Sequence, residues 1–408
     1  MSSKSNIIVG LDIGTSSTTV VVAEVLEDSV KILGVGKTPS SGLRKGVVIN
    51  IEGTVEAISK AVGQAERSAN VEISTVYASI GGAHVKGFNS NGVVPIKNKE
   101  VSKHDIERVI EAAKAVAIPS DREVLHVLPQ EFVIDSQDGI RQPLGISGVR
   151  LEAKVHIVTG SITSAQNVVK CANRCSLTVR DIVVSSLASG EAVLSPEEKE
   201  LGVCLVDVGG GTTDIVVYHS GSVRHVAVLP VGGNHLTNDI AAGLRTPIAA
   251  AEDIKQRHAT ASLRKAHDDE IIEVPSTGGR PPRVLSKQVL TEIIQPRVEE
   301  IFHLVHRELL RTGADEYLTS GIVLTGGSAN LEGIESIAQD VFHLPIRVGL
   351  PRNFKGLSDT DNLPDLSTAL GLVRIASKEN PITKYSGNSG SFFKNFLRRV
   401  NEWFSDGM

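Results

Sequence analysis

The sequence predicts an α/β protein built from two related lobes, and two observations carry that expectation. The first is an internal echo: IIVGLDIGTSSTTVVVAEV at residues 7–25 is matched by LGVCLVDVGGGTTDIVVYHS at residues 201–220. Each copy is an apolar strand, an Asp-x-Gly turn with small and hydroxylated residues, and a second β-branched strand, the pattern of a hairpin with a tight glycine turn. The second is length. At 408 residues the chain exceeds what one hydrophobic core organises, so two or more domains are expected. Related hairpins then imply related lobes facing each other.

Composition narrows the class. Hydrophobic residues make up 41% and charged residues 22%, ordinary for a globular protein and incompatible with wholesale disorder. A formal net charge of -5 provides no electrostatic footprint for nucleic acid, so none is expected as a partner. The three cysteines, Cys171, Cys175 and Cys204, are too few and odd in number for a secreted disulfide framework. Cys171 and Cys175 stand four apart on a predicted helix with no second pair to complete a metal site, so they read as ordinary cysteines. The N-terminal MSSKSN lacks the succession of a signal peptide, and no apolar run reaches membrane-spanning length.

Between the two hairpins, Ser102 is predicted to cap a helix with Asp105 three residues on and Ile106, Val109, Ile110 and Ala113 along one face. Strand-like stretches follow at 124–134 and 151–158, so residues 84–164 read as a small α/β insertion. From Asn234 to Phe302 the chain is expected to be helical, broken by a loop at Pro275, Gly278, Gly279, Pro281 and Pro282. Residues 380–390 have the composition of a flexible linker.

The two turns carry the chemistry. Glycine lets backbone N–H groups approach phosphate oxygens, and neighbouring hydroxyls add donors at the same distance. In the first turn these are Gly14, Thr15, Ser16 and Ser17; in the second, Gly209, Gly210, Gly211, Thr212 and Thr213. Asp12 and Asp207 stand at matching places before the glycines, where carboxylates can hold hydrated Mg²⁺ or position water. One such hairpin is usually only a turn; two, with a third glycine cluster, are hard to explain structurally. That third cluster, GIVLTGGSANLEGI, ends a strand at Gly326 and Gly327 beside Ser328, with a helix expected after Asn330, a turn that can press backbone against a flat ring. GVGKT at 34–38 imitates the end of a P-loop, but Lys31 stands where the first glycine is required, so that motif is rejected.

In this order, DIGTSSTTV, DVGGGTTDI and LTGGSANLEGI resemble the two phosphate motifs and the adenosine motif of the actin, Hsp70 and sugar-kinase superfamily. Within it, VYASIGGAHVKGFNSNGVVPI, VLHVLPQEFVID, GISGVRLEAKVHIVTG and EVPSTGGRPPR resemble the FtsA family of bacterial cell-division proteins over essentially the whole chain. The resemblance implies an actin-like two-lobed ATPase fold with ATP and Mg²⁺ in the cleft. It implies subdomain 1A at 1–83, 165–202 and 355–379, an FtsA-type insertion 1C at 84–164, 2A at 203–233 and 306–354, and 2B at 234–305. By similarity Glu252 and Lys255 reach the ribose and adenine; their structural alternative is an exposed i, i+3 ion pair. Lys287 and Arg297 lie where the C-terminal peptide of the tubulin-like protein FtsZ is expected to dock. Two departures argue against fast turnover: Ser185 or Ser186 falls where better hydrolases place a Glu or Gln, and Ser17 falls where many members place a phosphate-binding Lys.

The implied role is a self-assembling adaptor that ties FtsZ to the cytoplasmic face of the inner membrane at the septum and engages later division proteins through 1C. The C-terminal segment 391–408 supports it. At about 100 degrees per residue, Phe392, Phe393, Phe396, Leu397, Val400, Trp403 and Phe404 share one face of roughly 140 degrees. Lys394, Arg398 and Arg399 flank that face, as suits anionic lipid. A small-molecule kinase of the superfamily would need an Asp base for a substrate hydroxyl and leaves this helix unexplained. An Hsp70-type chaperone would need a β-rich domain for which no chain remains, and other actin-like scaffolds are the residual alternative.

Overall fold

The computed structural model describes residues 6–26, 29–266, 270–278, 280–357 and 363–378. The expected linker at 380–390 and amphipathic helix at 391–408, with Phe392, Phe393, Lys394, Phe396, Leu397, Arg398, Arg399, Val400, Trp403 and Phe404, lie outside the described residues. The two echoing segments fold as antiparallel hairpins, Ile7–Ile13 with Ser17–Val25 and Val203–Val208 with Thr213–His219.

Each hairpin sits at the centre of a sheet of the same layout. The first runs Thr178–Val184, Thr75–Ile80, Ile7–Ile13, Ser17–Val25, Val30–Pro39 and Phe354–Lys355; the second runs Ile346–Val348, Ile322–Thr325, Val203–Val208, Thr213–His219 and Ser222–Leu229. In both, the strand entering the turn pairs in parallel on one side and antiparallel with its hairpin partner on the other. The sequence echo is therefore an echo of whole lobes. Val203–Val208 is buried at every position, which is why its sequence is nearly continuous in apolar residues rather than alternating.

Helix Ile51–Ala69 covers the first sheet. The Asn50 side chain caps it by accepting from the Gly53 N–H, and Ala57, Ile58, Ala61, Val62 and Ala65 form its buried stripe. Gly34 and Gly36 lie on the strand beneath it, and a Cβ at Gly36 would stand 1.9 Å from the Ala61 carbonyl oxygen. The GVGKT segment is thus a strand whose glycines admit a helix, in keeping with the rejection of a P-loop there.

The insertion is a four-stranded sheet, Lys86–Pro95, Arg150–Ser161, Arg122–Ile134 and Gln137–Ile140, with helix Lys103–Lys114 on one face. Ser102 and Asp105 form the expected capping box, and Ile110, Phe132, Leu151 and Ile157 fill a separate core. It seats against the second lobe, where the Gln130 amide donates to the Val223 carbonyl at 2.8 Å.

Helices Gly233–Leu244, Ile248–His258 and Lys287–Thr312 pack on the second lobe and share its core, the first through Leu236 and Ile240, the second through Ile254 and the third through Leu290, Ile294, Val298 and Phe302. One expectation is corrected. The Pro and Gly cluster does more than break helical chain: it tips a two-stranded hairpin, Ile271–Val274 with Arg283–Ser286. Four-residue strands are too short to show a period, so the sequence hid them. The helix expected after Asn330 is present and begins at Ile334; residues Gly327–Asn330 form a 3₁₀ turn, and Gly333, at φ 80°, bends the chain into the helix. Cys171, Cys175 and Cys204 are free thiols. Among the described residues no helix is long and apolar enough to cross a membrane.

Candidate functional site

The two glycine turns meet. Each is closed by its own backbone, Gly14 N–H to Ser17 O and Gly209 N–H to Thr212 O, both at 3.0 Å. They face each other closely enough that a Cβ on Gly210 would lie 1.8 Å from Ser16 Oγ, and one on Gly211 would lie 2.6 Å from Thr15 Oγ1. Ser16 Oγ also donates to Asn234 Oδ1 at 3.2 Å, which joins the first turn to the helix opened by Gly233 and Asn234. That helix starts directly on the second turn, because Gly233 N–H donates to Gly209 O at 2.9 Å and Asn234 N–H to Gly210 O at 2.7 Å.

A cleft of about 1320 Å³ opens above the turns. Thr15, Ser16, Ser17, Gly210, Gly211, Glu252, Lys255, Gly327 and Ser328 all line it, so residues from four separate stretches of sequence converge on one space. Glu252 and Lys255 form an ion pair at 2.8 Å on helix Ile248–His258, but not a free surface pair. Thr237 Oγ1 donates to Glu252 Oε2 at 2.5 Å, and Lys255 Nζ donates to Thr237 Oγ1 at 2.9 Å and to Gly233 O at 3.2 Å. Burial pushes the Glu252 carboxyl up, and the Lys255 and Thr237 hydrogen bonds more than offset it, leaving it below the usual range. The other expected residues support the turns from behind. Thr212 Oγ1 donates to Asp214 Oδ2 at 2.8 Å, and the buried Thr213 donates to Val231 O at 2.9 Å. Gly326, at φ 85°, is glycine because a Cβ there would lie 2.3 Å from Asp207 Oδ1.

Three carboxylates, Asp12, Asp207 and Asp214, flank the two turns as a floor behind the residues that line the cleft. Asp12 Oδ1 accepts from Ser79 Oγ at 2.7 Å, and Asp207 Oδ2 accepts from Ser189 Oγ at 2.5 Å and more weakly from Thr368 Oγ1 at 3.4 Å. Burial raises Asp12 to about 7, with the charges of Asp207 and Asp365 adding to it. Burial likewise raises Asp207 to about 6 and Asp214 to about 7, and Asp207 and Asp12 push Asp214 further up. Asp214 Oδ1 is buried with no hydrogen-bond partner. Like charges held this close in low dielectric retain protons or demand a cation. Asp214 was within the quoted DVGGGTTDI motif yet not singled out. Ser79, Ser189 and Thr368 carried no signal, since each reaches its carboxylate across the fold.

A pH effect follows. These groups stay protonated in the folded protein where the unfolded chain would ionise them. The stability they contribute is thus fully present below the ordinary value of 3.8 and is lost as pH rises through about 6 to 7. Asp214→Asn cannot ionise. The parent protein is therefore expected to lose roughly 1 to 3 kcal/mol relative to this variant between pH 5 and 8. Parallel melting curves for the two across that range would show that Asp214 does not titrate there.

Ser185 opens helix Ser185–Val193, and Ser186 is fully buried with its hydroxyl unpartnered. Neither brings a carboxylate. Lys287 and Arg297 lie outside the cleft on helix Lys287–Thr312. Lys287 pairs with Glu270 at 2.8 Å and Glu332 at 3.6 Å, and Arg297 with Asp239 at 2.6 Å and with Glu300.

Comparison with known proteins places this geometry. The model described as "Cell division protein FtsA" matches residues 204–371, and that of the "SHS2 domain inserted in FTSA" matches residues 82–159. The chain is 48% identical over 403 residues to the cell division protein FtsA of Pseudomonas aeruginosa, covering 97% of each. It is 44% identical over 407 residues to that of Escherichia coli K12, again covering 97% of each. Among solved structures it resembles a PilM-PilN type IV pilus biogenesis complex, with TM-score 0.65 and 17% identity over 91% of this chain and 98% of that one. It also resembles MreB5 of Spiroplasma citri bound to ADP, with TM-score 0.54 and 15% identity over 91% and 98%. At these identities the structural likeness shows the fold, which is the actin-like two-lobed α/β fold with an inserted domain that the motifs predict.

Proposed function

The chain belongs to the FtsA family of cell-division proteins, and from that premise we propose that it binds Mg·ATP in the interlobe cleft, self-assembles, and tethers FtsZ to the cytoplasmic membrane at the division site. The observation that carries this reading is the opposition of the two glycine turns, Gly14–Ser17 and Gly209–Thr213, across one cleft. Backbone N–H groups and the hydroxyls of Thr15, Ser16 and Ser17 would take the phosphates. Glu252, Lys255 and the Gly326–Ser328 turn would take the nucleoside.

The floor fits a hydrated divalent cation. Its carboxylates are raised by burial, with neighbouring carboxylate charges adding to it, and one buried oxygen of Asp214 lacks a partner. Among the described residues no three acidic, His or Cys side chains converge to bind a metal directly, so Asp12 and Asp207 would hold Mg²⁺ through water. Mg²⁺ bound there would neutralise charge between the acids and the phosphates. A buried serine at the start of the connecting helix offers no strong base, so turnover is proposed to be slow and nucleotide to govern assembly. Calorimetry with Mg·ATP tests the cleft: a folded protein that takes up no ATP would overturn the assignment.

The membrane anchor is proposed to be the segment 391–408. Each well-buried apolar side chain would contribute roughly 1 to 2 kcal/mol and each of Lys394, Arg398 and Arg399 about 1 kcal/mol on anionic lipid. Single-chain binding would be reversible, and a filament presenting many such helices would bind far more tightly. A protein ending at residue 390 is expected to bind ATP normally but to lose flotation with anionic liposomes; equal flotation of both forms would exclude the tail as anchor.

The FtsZ C-terminal peptide is proposed to dock on the helical surface carrying Lys287 and Arg297, and later division proteins on the inserted domain. Both cations are already paired within the chain, so an acidic peptide would have to exchange for those partners. Charge reversal at both positions should weaken peptide binding severalfold in an anisotropy titration, and an unchanged affinity would remove them from the contact.

A further inference from the structure

Lys37 lines the cleft and is used neither by the motifs nor by the proposed function. Four cationic side chains line this space: Lys37, Arg44, Lys45 and Lys255. Lys255 is committed to Glu252, Thr237 and the Gly233 carbonyl. Arg44 and Lys45 are exposed on a short loop hairpin. Lys37 is also exposed but differs in where its backbone is held. It is fixed on the regular strand Val30–Pro39, opposite Thr19 of the strand returning from the first turn, and its charge lowers the carboxyl of Asp12 at the head of that turn.

Its partner is Asp365. That carboxylate sits on a segment stitched to the second lobe: Pro364 O accepts from Gly326 N–H at 3.1 Å, and Ser367 Oγ lies 2.7 Å from Thr325 Oγ1. The Lys37–Asp365 pair therefore joins two first-lobe segments on the cleft wall, directly beside the adenosine turn of the second lobe. Asp365 also adds negative charge to the floor, since it pushes both Asp12 and Asp207 up. An arriving polyphosphate meets a lysine already held by a carboxylate, and it offers that lysine more negative charge and more acceptor oxygens than the carboxylate does.

We propose that Lys37 supplies the phosphate counter-charge that the first turn itself lacks at Ser17, and that Asp365 competes with the nucleotide phosphates for it, so that filling the cleft breaks this ion pair. The inference rests on the nucleotide reading above. Lys37 acts here as a positioning and affinity-setting residue, and Asp365 as the competitor that holds it when phosphate is absent.

The two substitutions have opposite expected signs, which a purely structural pair would not give. In calorimetric titrations of the full chain with Mg·ATP, Lys37→Gln should weaken binding roughly tenfold, and Asp365→Asn should tighten it by about threefold or more. The double variant separates competition from general repulsion: the gain from Asp365→Asn should vanish once Lys37 is gone. A purely structural pair would make both single variants bind more weakly, with melting temperatures falling together, and that result overturns the proposal. So does a gain from Asp365→Asn that persists undiminished beside Lys37→Gln, because the carboxylate then acts on the floor alone. Unchanged affinity in both single variants while the parent binds Mg·ATP sinks this inference and leaves the nucleotide site standing. A parent protein that binds no Mg·ATP sinks both.

Discussion

Replacing Gly210 with valine is expected to abolish nucleotide binding while leaving the lobes folded. The first added carbon would stand 1.8 Å from Ser16 Oγ and 2.8 Å from Ser16 Cβ, so the opposed turns must separate. Before such a side chain could take the place of a phosphate it strikes the other turn. Separation would remove donors of both turns from a common ligand. Losing two charge-assisted hydrogen bonds of about 1.5 to 3 kcal/mol each lowers affinity at least about a hundredfold. Calorimetry on a variant with native circular dichroism reads this directly, and an affinity within a fewfold of the parent would mean the turns do not act together on one ligand.

Gly371→Ala is expected to cost the most stability for the smallest chemical change. Gly371 lies in helix Ser367–Lys378, where it faces helix Ser185–Val193, and the added carbon would meet the Ala188 carbonyl oxygen at 1.8 Å and its carbon at 2.3 Å. Backbone cannot rotate away as a side chain can, so the helices must part, at a cost of about 3 kcal/mol or more. The transition of the first lobe should fall by roughly 6 to 12 °C. Ser189 and Thr368, one on each helix, both donate to Asp207, so the same displacement should disturb the floor of the cleft. Gly63→Ala is the control. It lies within helix Ile51–Ala69 with only the Arg67 guanidinium near, at 3.5 Å, and should be neutral or stabilise by about 1 kcal/mol. Equal melting temperatures for Gly371→Ala and the parent would show that the two helices are not in close contact.

Much of the molecule was legible because its signals are local. The paired hairpins, the rejected P-loop and the Ser102 capping box each depend on residues within one or two turns of chain. Their periodicity, glycine placement or cap chemistry declares them before any packing exists. The short hairpin Ile271–Val274 with Arg283–Ser286 was not legible, since four residues carry no period and the adjoining helices dominated the pattern.

The sequence by itself determined two strand–turn–strand units of one design, the glycine and hydroxyl chemistry of their turns, and a third glycine turn of matching kind. Only the tertiary structure decided what those turns face. Ser79 reaches Asp12 across 67 positions, Thr368 reaches Asp207 across 161, and Lys37 reaches Asp365 across 328. A buried carboxylate must find a donor, a cation or a proton, but the requirement is met by whatever the fold carries to it, and no spacing rule ties such partners along the chain.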